Sequence, residues 1–117
     1  MNPQDEQIPL WRQLSATAGV IQAVREGISG TAALDSVTSD IRPGVQALSF
    51  HVWRNMGRAQ ALRKLLAAKL PPPAADALLC LALALAWSDD NAPYDMFTLV
   101  NQTVEAAKRG AGTHAQA

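Results

Sequence analysis

At 117 residues the chain is long enough for one domain with a hydrophobic core that needs neither disulfides nor a metal. Apolar residues make up 49% of it, aromatic ones 5% and charged ones 17%, which excludes disorder over most of the length and favours packed helices over strands. The formal charge of zero is unevenly spread: Arg42, Arg54, Arg58, Arg63, Lys64 and Lys69 stand between Ile41 and Ala75 with no acid among them, a +6 segment against a −6 remainder.

Residues 1–9 read as a flexible start, with neither the basic opening nor the apolar stretch of an export signal. Leu10, Leu14, Thr17, Ile21, Val24 and Ile28 recur at spacings of four and three, one narrow apolar stripe of a helix. Pro9 suits its first turn, and Gly27 with Gly30 ends it. A short helix follows from Thr31 to Val37, with Leu34 and Val37 facing inward.

Asp40, or Arg42 just before Pro43, opens the next helix, whose inward face is Val45, Leu48, Val52 and Met56, flanked by Phe50 and Trp53. Asn55-Met56-Gly57 predicts a break, because Asn and Gly end helices in the left-handed conformation. A further helix from Arg58 to about Lys69 is expected to bury Leu62, Leu65 and Leu66 before Pro71-Pro72-Pro73 stops it. The next, from about Ala74 to Trp87, is almost wholly apolar; a helix of that kind belongs at the centre of a bundle. Its run from Ala77 to Trp87 is too short to cross a bilayer. After a turn-rich loop at 88–93, a last helix from Asp95 to about Arg109 is expected to turn Phe97, Val100, Val104 and Ala107 inward. Residues 110–117 read as a frayed tail. The predicted fold is all-α, a single compact helical bundle.

Residues able to carry chemistry are few. No glycine-rich phosphate loop, GxSxG, HExxH or Cys/His pair at metal spacing occurs, so no catalytic or metal site is expected within these residues. Cys80 lies between leucines and reads as packing. His51 is at the edge of an apolar face, His114 is in the tail, and Asp89-Asp90 suits a solvated turn. Trp11 and Trp87 read as packing residues. Trp53 reads as a core flank, with stacking on an unpaired base as its other possible use. The basic window remains. Guanidinium groups grip phosphate bidentately, and Arg42, Arg54, Arg58, Arg63, Lys64 and Lys69 are the expected contacts of a phosphate-bearing partner such as RNA or of an acidic protein surface.

The order of segments adds to this. Leu10-Trp11-Arg12 through Val24-Arg25-Glu26-Gly27, followed by Arg42-Pro43-Gly44-Val45-Gln46-Ala47-Leu48-Ser49-Phe50-His51-Val52-Trp53-Arg54, resembles the start of the RsmB/Sun-type ribosomal RNA cytosine-5 methyltransferases. Ala92-Pro93-Tyr94 and Leu99 to Lys108 resemble that family's Pro-Pro-His region and its Val-Glu-x-Ala-Lys stretch, although Tyr94-Asp95 stands where the family has His. The likeness runs over residues 10–109. It implies a NusB-like helical RNA-binding domain that positions small-subunit rRNA, with the tail leading to a C-terminal catalytic domain that uses S-adenosylmethionine. The expected partners are ribosomal RNA and that catalytic domain, with no membrane and no metal, in the cytoplasm; no cofactor is expected within these residues. Two other readings stay open. One is a protein–protein or interdomain module, and the other a stand-alone antitermination factor of the NusB type, which the acidic start Asn2 to Gln7 disfavours.

Overall fold

The structure, a computed structural model, describes residues 8–66, 69, 71–86 and 94–109. The predicted flexible start up to residue 7, Trp87, the 88–93 loop with Asp89-Asp90, and the tail with His114 lie outside the described residues. Five helices form one all-α bundle: α1 (Leu10–Arg25), α2 (Gly30–Asp35), α3 (Arg42–Leu66), α4 (Pro73–Ala86) and α5 (Met96–Lys108).

The stripe predicted for α1 is its buried face, with Leu14, Thr17, Ala18, Val20 and Ile21 inside. Thr17 is tolerated there because its hydroxyl donates to the Gln13 carbonyl at 2.7 Å. Gly27 ends the helix as expected, with φ at 104°. The Gly27 and Ile28 amides bond back to Val24 and Ala23, each at 3.0 Å, a Schellman turn that satisfies the last carbonyls. Ile28 falls beyond that turn and is therefore exposed, not part of the stripe. The Ser29 hydroxyl caps α2 through the Ala32 amide at 3.1 Å.

Helix α4 is central, packed against α1, α3 and α5. Ala77, Leu78, Cys80, Leu81, Ala84 and Leu85 meet Leu14 and Ile21 of α1, Leu48, Val52 and Ala59 of α3, and Leu99 and Ala106 of α5. A second cluster, Val20, Ala33, Leu34, Val37, Ile41 and Val45, seats α2 beside α1 and α3. Cys80 is buried packing, as its sequence context suggested.

Two expectations fail on helix phase. There is no break at Asn55-Met56-Gly57: α3 runs unbroken for 25 residues, and Gly57 does not adopt positive φ. Tertiary contact overrides local preference here. Buried Ala59 anchors the helix two residues past Gly57, and the Asn55 side chain donates to the His51 carbonyl within the helix at 2.9 Å. One uninterrupted phase then carries Arg63 inward and turns Leu65, expected to be buried, to 83% exposure; Leu66, in the last turn, is also exposed.

The second failure is α5, where Phe97 (79% exposed), Val100 and Val104 face out while Leu99 and Ala106 are buried. On the polar face Gln102 is partly buried, and its Oε1 accepts the Trp11 amide at 3.0 Å, a first-turn donor of α1 that Pro9 does not cap with a side chain. Arg109 completes this corner, 4.5 Å from the Trp11 ring centroid and 2.6 Å from Glu105.

Gly57 offers a direct check of the unbroken helix. It is exposed, helical, and an added Cβ would meet nothing within 4 Å. Gly57→Ala is expected to stabilise the protein by about 0.5–1 kcal/mol, read as a melting-temperature rise of a few degrees. A loss would restore the break.

Candidate nucleic-acid interface

Helix α3 positions most of the cationic window, and its phase decides which side chains meet solvent. Val45, Leu48, Ser49, Val52 and Ala59 fix the buried side. At about 100° per residue, Phe50, Arg54, Arg58 and Leu65 then fall along the opposite side, and all four are exposed. Lys64 is exposed on the edge of the same stripe, and Lys69 is exposed beyond the helix. Arg54 and Arg58 stand one turn apart, about 6 Å along the axis, close to the spacing of successive phosphates on a single strand.

The other two cations of the window are held inside. Arg42 donates through Nε and Nη2 to the Val37 carbonyl at 3.1 and 2.7 Å and through Nη2 to the Asp35 carbonyl at 3.2 Å, closing the C-terminal end of α2. Arg63 points into the bundle, its Nε 3.0 Å from Asp76 Oδ1. The window holds no acid in sequence, yet in the fold Asp76, just past it, reaches back to Arg63. Asp76 also accepts from Arg25 Nη1 at 2.7 Å, so one buried carboxylate bridges two guanidiniums. The sequence held a signal for this. Asp76 is the lone acid of an aliphatic helix, and a buried carboxylate requires a cationic partner.

The acid on the N-terminal side of the window is engaged elsewhere. Asp40 accepts from the Thr38 hydroxyl at 2.7 Å and from Arg12 at 2.8 Å, and these two contacts hold its carboxyl below the ordinary range. At the other end of the chain, Asp95 caps α5 by accepting the Thr98 amide at 2.8 Å, which likewise lowers its pKa.

Next to the Arg54–Arg58 row lies a shallow cavity of about 350 Å³ between α2 and α3, lined by Gly30, Leu34, Arg42, Gln46, Phe50 and Trp53. Trp53 is half-buried against the second core cluster, in keeping with its reading as a core flank. Gly30 leaves room for its ring, which a Cβ would meet at 3.3 Å. Phe50 is exposed, its ring centroid 5.9 Å from that of Trp53 at a tilt of 50°, so one aromatic face is open beside Arg54.

His51 is half-buried in α3. Among the described residues no group of three or more His, Cys, Asp and Glu side chains is placed to hold a metal ion, and no helix is long and apolar enough to cross a membrane. No protein-family model, curated protein or solved structure matches the chain.

Proposed function

We propose that this bundle is the RNA-binding domain of an S-adenosylmethionine-dependent, RsmB/Sun-type 16S rRNA cytosine-5 methyltransferase. In this reading it is NusB-like and holds rRNA for a catalytic domain that lies outside these 117 residues. The observation that carries the reading is the exposed row Arg54–Arg58, flanked by Lys64 and by the open ring of Phe50, on one unbroken helix. Such a row tracks a phosphate backbone, while an aromatic face beside it accepts an unpaired base. The co-linear motifs from Leu10 to Lys108 supply the methyltransferase context. Arg42 and Arg63 act in this reading by fixing the helices that present the row.

Fluorescence anisotropy with a labelled small-subunit rRNA fragment tests it. Arg54→Glu/Arg58→Glu is expected to weaken binding at least tenfold and to flatten the dependence of log affinity on log salt by roughly 1.5, as two lost phosphate contacts require. Unchanged affinity and slope reject the reading.

A second reading, a protein–protein or interdomain module, has its own support. Met96, Val100 and Val104 of α5 with Ala82, Leu83 and Ala86 of α4 line an apolar groove of about 220 Å³, and Phe97 stands exposed beside it. Hydrogen exchange on this chain and on a longer protein containing it separates the two. Protection centred on residues 96–104 without RNA favours docking.

A further inference from the structure

The Arg25–Asp76–Arg63 cluster lies on the opposite side of α3 from the Arg54–Arg58 row, and its charges do not balance. Two guanidiniums share one carboxylate, leaving a surplus of +1, while the Arg63 side chain is only 14% exposed. The Arg63–Asp76 contact is also incomplete. Nε and Oδ1 approach to 3.0 Å without the alignment of a hydrogen bond, so a buried donor and a buried acceptor face each other obliquely.

These groups border an open cavity of about 340 Å³ walled by Arg25, Gln60, Arg63, Pro71, Pro73 and Asp76. The first turn of α4 also borders it, adding the positive end of a 14-residue helix. Proline walls hold the opening without supplying competing N–H groups.

We infer that this cavity is an oxyanion site, taking a phosphate group between Arg63 and Arg25 with the Gln60 amide as a neutral third donor. Asp76 holds the two guanidiniums in place and limits the site to a weakly held anion. The inference does not rest on the RNA reading, since the cavity and the Arg54–Arg58 row are on different sides of α3. A free phosphate and a phosphodiester of a nucleic acid share this chemistry.

The test is a titration of the ¹⁵N-labelled protein with sodium phosphate at pH 7 and constant ionic strength, following the Nε–H signals of Arg25 and Arg63. Saturable shifts at both are expected, with half-saturation on the order of 1 mM. Gln60→Glu places a carboxylate in the cavity that competes with phosphate for Arg25 and Arg63, and is expected to weaken binding at least tenfold. Gln46→Glu makes the same charge change on an exposed position of the same helix and is expected to change nothing. Arg63→Met, which retains the Arg25–Asp76 pair, is expected to abolish saturation. Linear shifts, or equal weakening by Gln46→Glu and Gln60→Glu, overturn the site. A short single-stranded RNA that displaces phosphate from Arg63 identifies a phosphodiester as the occupant; an RNA that shifts only the Arg54–Arg58 region identifies a small free anion.

Discussion

Leu81→Ala is expected to destabilise the protein by about 3–5 kcal/mol, the cost of losing buried methyl groups and leaving a cavity that the neighbours cannot fill. Leu81 is completely buried in the middle of α4, in the core cluster that joins α1, α3 and α5. Three helices would have to move together to close the space. Against a total stability of roughly 5–15 kcal/mol, one such truncation removes a large share. Urea unfolding measures it, with Leu65→Ala as the comparison. Leu65 is exposed, and its truncation is expected to stay within about 0.5 kcal/mol. Similar losses at the two leucines would mean that the described phase of α3 or the central place of α4 is wrong.

The second large effect belongs to Asp76→Ala. With the carboxylate gone, Arg25 and Arg63 would face each other as like charges, Arg63 with little access to water. Removing one partner from a buried ion pair costs about 3–5 kcal/mol, a fall in melting temperature of roughly 15 °C for a domain of this size. Arg63→Met offers the contrast, because it deletes a guanidinium while the Arg25–Asp76 pair persists at 2.7 Å. Its cost is expected to be under half as great. Differential scanning calorimetry of both variants decides the point: a loss at Asp76 no larger than that at Arg63 would mean that Asp76 does not bridge the two helices.

Most of the fold was legible because its signals were redundant. The α1 stripe had a proline at its entrance and glycine at its exit, and the aliphatic α4 had little choice but the centre. Where signals were single, they misled. Gly57 is a helix breaker only when no tertiary contact holds the next turn, and Ala59 with Arg63 supplies that contact from α4, information that local sequence does not carry. On α5 the apolar residues marked a face correctly but not the direction of that face: Leu99 and Ala106 pack on the core instead, and Gln102 bonds to Trp11, more than ninety residues away in sequence. The basic window was visible as composition, yet charge counting cannot tell a guanidinium that meets solvent from one engaged within the bundle. Arg42 and Arg63 are of the second kind, and Arg54, Arg58, Lys64 and Lys69 of the first.

The continuity of α3 has a geometric consequence. An unbroken helix of 25 residues is about 37 Å long, and it has no break at the glycine where one was expected. The Arg54–Arg58 row and the Arg63–Asp76 contact are therefore carried on opposite sides of one continuous element, with no break at Gly57 between them.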